Sequence, residues 1–325
     1  MKKLSIGKLR GLQQLANEKG IIAMCALDHR GSLMRMLNEK HPDSVSYQTL
    51  VDFKLDLSQS LASHASAILL DPVYGAGQAI AAGILAKSTG LLVSLEESGY
   101  SGGSDARITD LLPSWSVRKI KKMGATGAKL LLYYRPDTNV AKKQLDTVKK
   151  LADDCLTEDI PFVVEPVSYK VGEAEANPQN FARIKPQLVI ETAKQVTVLP
   201  IDILKAEFPS DLKYERDKSR LLDFCHQLNE ASQVPWVILS AGVNFEFFYQ
   251  EVELACQAGA SGFLAGRALW QEATHINSRQ ERLKFLGTTV VKRLKSLTEL
   301  ANTCGTPWYA RVQATKINEN WHRNY

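Results

Sequence analysis

The chain has 325 residues, of which 45% are hydrophobic and 23% are charged, and its formal net charge is +5. This composition is typical of a globular protein, and the small charge surplus, without a nucleic-acid-reading motif, argues against a nucleic-acid partner. No apolar run reaches the roughly 18 residues of a membrane-spanning helix, and the basic N-terminus lacks the apolar segment of a secretion signal. We therefore expect a cytoplasmic enzyme with no membrane partner.

Cysteine and histidine are sparse and scattered in this chain. Its five cysteines form no C-x-x-C pair, and its six histidines form no H-x-H or H-x-x-x-H pair. A disulfide framework or a zinc centre would need such clusters. We predict neither a metal nor a cofactor.

Short apolar runs recur along the chain without two-residue alternation of polarity, and longer segments with helical spacing lie between them. Such runs are typical of parallel strands that are buried on both faces. In chain order the predicted strands are Ile21–Leu27, Ala67–Leu70, Leu91–Leu95, Ala128–Tyr134, Phe162–Val164, Ile201–Leu204, Trp236–Leu239 and Gly262–Leu264.

Helical patterns precede and separate these runs. The clearest are Ser5–Glu18, Leu50–His64, Gln144–Leu156, Leu221–Ala231 and Phe247–Ala258. Ser114 is predicted to cap a further helix over Trp115–Met123, because serine is a preferred residue at helix N-termini. Lys54 and Asp56 are expected on the solvent face of their helix.

Eight strands that alternate with helices predict a (β/α)8 TIM barrel in a single domain over residues 1–325. The barrel is expected at about 20–275, after an N-terminal helix and before a C-terminal helical extension at about 276–325. An open, doubly wound sheet is the competing fold. Such a sheet normally carries a glycine-rich turn after an early strand, and Gly75-Ala76-Gly77 lacks the third glycine of that motif.

Two lysines interrupt predicted buried strands, Lys129 in the fourth and Lys205 at the end of the sixth. An isolated buried ammonium is costly, so each lysine must pair with an acid or have a lowered pKa. A lowered pKa suits Schiff-base chemistry, since only the neutral amine attacks a carbonyl, and a second ammonium nearby would lower it further. Glu165, on the intervening fifth strand, can reach both lysines and act as a general acid or base. The residues alone leave open an inert Lys–Glu–Lys ion-pair cluster.

The seventh and eighth predicted strands end in small residues and a cation, at the corner where barrels frequently bind phosphate. The residues are Ser240, Ala241, Gly242, Gly266 and Arg267. Small residues let backbone amides approach a ligand, and the guanidinium of Arg267 matches the geometry of phosphate oxygens. This pattern predicts a phosphate group in the ligand. Glu207, just after the sixth strand, is a further carboxylate expected at the mouth.

Several stretches carry a resemblance to a known family. They are Gly20–Gly31, Leu69–Gly75, Lys129–Tyr134, Asp159–Phe162, Ile201–Lys205 and Ser240–Val243. On these motifs the chain resembles the class I tagatose 1,6-bisphosphate aldolases along nearly its whole length. The segment Pro235–Trp270 also strongly resembles the related bacterial sulfofructose 1-phosphate aldolases.

The resemblance implies a metal-independent lyase that cleaves a ketohexose phosphate to dihydroxyacetone phosphate and a three-carbon aldehyde. Lys205 matches the lysine that forms the Schiff base, Glu165 the acid–base carboxylate, and Lys129 the neighbouring strand-four lysine. Asp28 matches the first-strand aspartate, which would orient the lysine or a substrate hydroxyl. Arg267 and the turn Ser240–Gly242 would hold the phosphate on the ketone side.

His29 departs from the family pattern, which usually has glutamine there, so the preferred aldehyde half is open. Arg30 is kept and is expected to bind the distal phosphate or sulfonate, with an ion pair to Asp28 as the alternative. The leading substrate is tagatose 1,6-bisphosphate, and the expected partner is thus a small phosphorylated ketose. Sulfofructose 1-phosphate is the alternative substrate. A non-catalytic phosphosugar-binding regulatory barrel is the alternative from another class.

The C-terminal segment adds three aromatic residues of interest. Trp308 and Trp321 pack either on the barrel or on a second subunit, which leaves a homo-oligomer open. Tyr325 corresponds in position to the catalytic tyrosine of the unrelated fructose-bisphosphate class I aldolases. It follows a polar segment, and we expect no catalytic role for it.

Overall fold

Eight parallel strands close into a barrel in the computed structural model, which describes residues 2–314 and 317–325. Each predicted apolar run overlaps one strand, so the (β/α)8 prediction is confirmed and the open sheet is excluded. The barrel strands are β2 Ile22–Leu27, β3 Ala67–Leu70, β4 Gly90–Ser94, β5 Gly127–Tyr133, β6 Phe162–Val167, β7 Ile203–Ala206, β8 Trp236–Leu239 and β9 Gly262–Ala265. A separate parallel pair, β1 Lys2–Leu4 with β10 Val312–Ala314, was not predicted.

Helices connect the strands on the outside of the barrel and continue beyond it. They are α1 Ile6–Leu15, α2 Gly31–Leu37, α3 Tyr47–Leu61, α4 Ala76–Ala81, α5 Val117–Lys122, α6 Ala141–Thr157, α7 Gly172–Ala176, α8 Pro178–Thr197, α9 Lys218–Ala231, α10 Phe245–Gln257, α11 Arg267–Trp270, α12 Arg279–Phe285 and α13 Val291–Cys304. A π-turn at Leu286–Val290 joins α12 to α13. No helix of residues 2–314 or 317–325 combines the length and apolar character needed to cross a bilayer.

The helix after β4 begins later than its sequence suggests. Ser116, not Ser114, is the N-cap of α5, and its hydroxyl accepts a hydrogen bond from the amide of Lys119. Ser114 instead has φ of 59° and lies in the preceding turn. The predicted cap was therefore wrong by two residues, because both serines precede the same apolar pattern and only the backbone path selects between them.

Apolar side chains fill the barrel on both faces of its strands, which explains why the strand sequences do not alternate. Inside, Met24, Leu69, Val163 and similar residues form one buried cluster. Outside, a larger cluster joins the strands to the surrounding helices. Burial on both faces favours continuous apolar runs.

The amino-terminal end of the barrel is closed by α1 and by the paired strands β1 and β10. Leu12 of α1 and Trp308 are buried there, so Trp308 packs on the barrel. The hydroxyl of Tyr325 donates to Asp159, which also accepts the amides of Gly7 and Lys8 at the start of α1. Tyr325 thus lies at the end of the barrel opposite to the carboxyl ends of the strands.

The C-terminal extension is anchored by an acid that sequence analysis placed in solvent. Asp56 is fully buried, and its carboxylate accepts hydrogen bonds from Arg279 at 2.8 Å and Arg282 at 3.1 Å. Lys54 is also buried and pairs with Asp71, and its Nζ donates to the carbonyl of Leu27 at 2.7 Å. Both expectations of exposure were wrong, because the extension and the neighbouring strand ends cover this face of α3.

Substitution of Asp56 by alanine is expected to lower the free energy of unfolding by about 2 kcal/mol, since the partly buried Arg282 loses its counter-charge. Chemical denaturation measures this change. Asp52→Ala, on an exposed turn of the same helix, is the control and should stay within about 0.5 kcal/mol of wild type. Equal stability of the two variants would contradict the anchoring role.

Candidate active site

A cavity of about 510 Å³ opens at the carboxyl ends of the barrel strands. This is within the usual size range of small-molecule sites, and it is the end of the barrel at which catalytic groups are found. Most of the predicted site residues line it, namely Asp28, His29, Arg30, Glu165, Lys205, Ser240, Ala241, Gly266 and Arg267. Lys129 lies directly beneath the cavity, and Gly242 lies against the Arg267 side chain.

Within the described residues, three carboxylates converge on the ammonium of Lys129. Its Nζ lies 2.7 Å from Asp28, 2.8 Å from Glu96 and 2.8 Å from Glu165. Burial of Lys129 opposes its charge, but the three acids outweigh that effect and raise its pKa well above the usual value. Lys129 is therefore charged at neutral pH. Of the two possibilities that the sequence left for a buried lysine, an acid partner or a lowered pKa, Lys129 has the first.

Glu165 bridges the two lysines, as predicted. Its Oε1 lies 2.6 Å from Nζ of Lys205, and its Oε2 faces Lys129. Burial raises the pKa of Glu165, yet the two ammonium groups outweigh burial and lower it below the usual value. At Asp28, burial likewise raises the pKa, but the charges of Lys129 and Lys205 outweigh it and hold the pKa well below its usual range. The structure brings these four predicted residues together, and their catalytic roles stay predictions.

Glu96 is the member of this cluster that sequence analysis missed. One of its oxygens accepts from Lys129, and the other accepts from the backbone amide of Leu131 at 3.0 Å. A usable indication was present in the sequence, because Glu96 directly follows the predicted strand Leu91–Leu95. Arg35 and Tyr133 also line the cavity without having been predicted. Arg35 lies within α2 and Tyr133 is the last residue of β5, and the sequence around each gives no indication that its side chain faces the cavity.

Arg30 lines the cavity, but part of its guanidinium contacts protein groups. Its Nη2 donates to the carbonyl of Glu96, and its Nη1 lies 3.5 Å from a carboxylate oxygen of Glu97. These contacts replace the ion pair with Asp28 that was considered as the alternative. Binding of a distal anion by Arg30 stays a prediction.

His29 is packed at the wall of the cavity as a neutral imidazole. Its ring lies 5.2 Å from that of Trp270 in an edge-to-face arrangement, and its Nδ1 is 3.8 Å from Asp28. Burial lowers the pKa of His29 to about 3, and the charge of Arg267 adds to this effect against the opposing Asp28. A Cβ atom at Gly266 would lie only 2.9 Å from the ring. Glycine is therefore needed at this position for His29 to occupy its place.

The predicted phosphate corner is a compact turn beside a cation. The hydroxyl of Ser240 accepts from the amide of Gly266 at 3.2 Å, which ties the ends of β8 and β9 together. Ala241 and Gly242 have φ of 44° and 79°, and a Cβ on Gly242 would lie 3.0 Å from Cζ of Arg267. Burial lowers the pKa of Arg267, but a guanidinium remains charged at neutral pH.

The remaining predicted carboxylate, Glu207, also lies at the mouth. It accepts hydrogen bonds from the amide and hydroxyl of Ser168, at 2.7 and 2.6 Å. These bonds hold the loop after β6 against the end of β7. Among the described residues, no group of three or more histidine, cysteine, aspartate or glutamate side chains is arranged to hold a metal ion.

A closed parallel barrel with a lysine–carboxylate cluster at its carboxyl end has the side chains that lysine-based carbonyl chemistry needs. The family model of the DeoC/LacD family aldolases matches residues 22–272, so the chain belongs to this family and is a carbon–carbon lyase. It is 36% identical to tagatose 1,6-diphosphate aldolase 1 of Enterococcus faecalis, over 96% of this chain and 100% of the relative. It is 32% identical to tagatose 1,6-diphosphate aldolase 2 of Streptococcus agalactiae, over 94% and 98%. The predicted family is confirmed.

Solved structures share the barrel at much lower identity. Fructose-bisphosphate aldolase from Plasmodium falciparum matches with a TM-score of 0.71 at 13% identity, over 94% of this chain and 98% of that one. An archaeal fructose 1,6-bisphosphate aldolase matches with a TM-score of 0.59 at 18% identity, over 90% and 98%. At these identities the likeness supports the fold.

Replacement of Lys129 by methionine is expected to lower the free energy of unfolding at pH 7 by about 3–5 kcal/mol, because buried carboxylates lose their counter-charge. In wild type, the lowered pKa values of Asp28 and Glu165 stabilise the fold above about pH 4, and this contribution is lost as pH falls through the folded values. In the variant those pKa values rise, so protonation in the folded state becomes favourable.

The difference in stability between wild type and Lys129→Met should therefore shrink between pH 7 and about pH 5. Urea denaturation at both pH values measures it. Lys149→Met, which removes a 62% exposed lysine, is the matched control and should show little change at either pH. A pH-independent difference for Lys129→Met would contradict the electrostatic account.

Proposed function

We propose that the chain is a class I aldolase that cleaves tagatose 1,6-bisphosphate to dihydroxyacetone phosphate and glyceraldehyde 3-phosphate. The contact that carries the proposal is that between Lys205 and Glu165, 2.6 Å apart at the floor of a cavity with a cation at its rim. A primary amine beside a carboxylate has the parts needed for imine formation. The full-length relatives that are named tagatose 1,6-diphosphate aldolases support this choice of sugar.

In the proposed first step, Lys205 transfers a proton to Glu165 and its neutral amine attacks the substrate ketone at C2. The resulting carbinolamine loses its hydroxyl as water when Glu165 returns the proton, and a protonated imine remains. Lys129 stays charged throughout, because its acids hold its pKa high. It therefore supplies a fixed positive potential beside the reacting carboxylate.

In the proposed second step, a carboxylate takes the proton from the C4 hydroxyl. The C3–C4 bond breaks, the aldehyde leaves, and the bonding electrons move into the imine to form an enamine. Protonation at C3 and hydrolysis then release dihydroxyacetone phosphate and restore the amine. Glu165 is the proposed base, and Asp28 is placed to orient a substrate hydroxyl, since both side chains are within reach of the cavity.

The two phosphates would bind at separate ends of the cavity. Arg267, with the turn Ser240–Gly242 and Gly266, is the proposed site for the phosphate on the ketone side. Arg30 is the proposed contact for the distal phosphate, with the exposed Arg35 beside it on α2. Guanidinium groups suit both roles, because their planar fork matches phosphate oxygens.

The proposal includes metal-independent turnover in the cytoplasm and a small phosphorylated ketose as partner. All five cysteines are thiols, which is the usual state in a reducing compartment. Trp321 is 38% exposed, so contact with a second subunit through this tail stays a prediction. A purely regulatory barrel would have no use for a lysine held against an acid–base carboxylate, and we do not favour that alternative.

Borohydride reduction in the presence of dihydroxyacetone phosphate is expected to trap a stable adduct on Lys205, because the reagent reduces the imine to a secondary amine. Peptide mass spectrometry identifies the modified residue. Lys205→Arg should give no adduct and should lose at least about 1,000-fold in kcat. Prior treatment with EDTA should leave the yield unchanged. An adduct on another lysine, or none with wild type, would overturn the proposed mechanism.

His29→Gln tests the choice of aldehyde half, because His29 forms the wall of the cavity beside Asp28 and Trp270. We expect the ratio of kcat/KM for tagatose 1,6-bisphosphate to that for sulfofructose 1-phosphate to change about ten-fold. Trapping with dihydroxyacetone phosphate, which lacks the aldehyde half, should change much less. A ratio equal to that of wild type would show that His29 does not select the substrate.

A further inference from the structure

Glu96 contacts the same ammonium, that of Lys129, as the reacting carboxylate Glu165 does, and nothing in the proposed reaction assigns Glu96 a part. Its side chain is almost completely buried at the end of β4. One oxygen lies 2.8 Å from Nζ of Lys129, and the other accepts the amide of Leu131 at 3.0 Å. Its own carbonyl accepts a hydrogen bond from Arg30. Glu96 is thus fixed through its side chain and its backbone.

We infer that Glu96 is a positioning residue for the aldol reaction: it supplies the counter-charge that keeps Lys129 balanced while Glu165 exchanges a proton with Lys205. This inference rests on the proposed function of the site. Glu96 lines the cavity, and its two oxygens are held by Lys129 and by the amide of Leu131, so the role inferred for it needs no contact with the reacting atoms. It acts on the reaction through Lys129 and through the charge that it places near Glu165.

The charge balance of the cluster shows why a third acid matters. With every group ionised, Asp28, Glu96 and Glu165 face two ammonium groups, and the cluster carries a net charge of minus one. When Glu165 takes the proton of Lys205, both become neutral. Lys129 then still has Asp28 and Glu96 as partners. Without the charge of Glu96, Asp28 would still balance Lys129, but the attraction of Lys129 for ionised Glu165 would no longer be opposed by Glu96, so protonation of Glu165 would be less favourable.

The effect on the basicity of Glu165 has a definite sign. Glu96 and Glu165 both lie 2.8 Å from the same nitrogen, so their negative charges repel each other at short range. Removal of the charge of Glu96 would stabilise ionised Glu165, lower its pKa further and make it a weaker base. Glu96 itself faces Lys129 and Tyr133 on β5 and Arg30 at the start of α2. The charged groups that face Glu165 are Lys129, Asp28 after β2, Lys205 on β7 and Arg267 on α11.

The experiment compares wild type with Glu96→Gln by steady-state kinetics on tagatose 1,6-bisphosphate between about pH 5 and pH 9. Glutamine keeps the shape and an acceptor for the Leu131 amide but removes the charge. We expect kcat to fall at least about ten-fold with KM within about two-fold of wild type, and the acidic limb of the kcat profile to move to lower pH. Asp110→Asn removes an exposed carboxylate from the same loop and should match wild type.

The melting temperature and the position of the acidic limb together separate a positioning role from a structural one. A structural role would lower the melting temperature and the active fraction, but it would leave the acidic limb in place. An unmoved limb in folded Glu96→Gln therefore overturns the inference. If Glu96→Gln does not fold, Glu96→Asp carries the test, since the shorter side chain cannot reach Lys129 and the Leu131 amide together. A kcat lowered at least about three-fold at constant KM, with the acidic limb moved to lower pH, then supports the inference, and an unmoved limb overturns it.

Borohydride trapping on wild type distinguishes failure of the proposed aldolase function from failure of the role inferred for Glu96. Absence of an adduct on Lys205 in wild type refutes the proposed function itself. An adduct in wild type, together with a Glu96→Gln profile identical to that of wild type, refutes only the role of Glu96.

Discussion

The site depends on one buried ammonium group, that of Lys129, at the centre of the barrel. An unpaired charge there would be very costly, and the fold provides carboxylates from the ends of three other strands to surround it. Because the buried ammonium must be paired, the acids around it are held in place, and Glu165 contacts both lysines. The same cation that stabilises the buried acids therefore also positions Glu165, the proposed acid–base group, beside Lys205. The stability of the cluster and the proposed chemistry depend on the same contacts.

The rest of the barrel supports this cluster from outside. The pair Lys54–Asp71 holds the carbonyl of Leu27, one residue before Asp28, so the end of β2 is fixed from behind. At the opposite end, α1 and the paired strands β1 and β10 close the barrel and tie down the C-terminal segment. The extension in turn is held by Asp56. One buried ion pair thus supports the end of β2, and the pairs of Asp56 attach the extension to α3.

Cationic and neutral side chains also line the cavity beside the acidic cluster. Arg267 is positioned by the close approach of Gly242, and the neutral ring of His29 fills the space that Gly266 leaves open. A bisphosphorylated ketose would place an anion near the guanidinium and its carbonyl near Lys205. The positions of Arg267 and Lys205 therefore fit both the substrate orientation and the chemistry that we propose.

Periodicity and spacing in the sequence were sufficient to predict the barrel, its eight strands and the convergence of Lys129, Glu165 and Lys205. The reason is physical: strands buried on both faces must be apolar, so a charged residue at a strand end stands out and points to the site. The position of Glu96 directly after a predicted strand was an indication of the same kind, but only the tertiary structure decided that it contacts Lys129, that Asp56 and Lys54 are buried and that Arg30 binds the Glu96 carbonyl. Those outcomes depend on which distant segment covers each side chain, and local sequence carries no record of that neighbour.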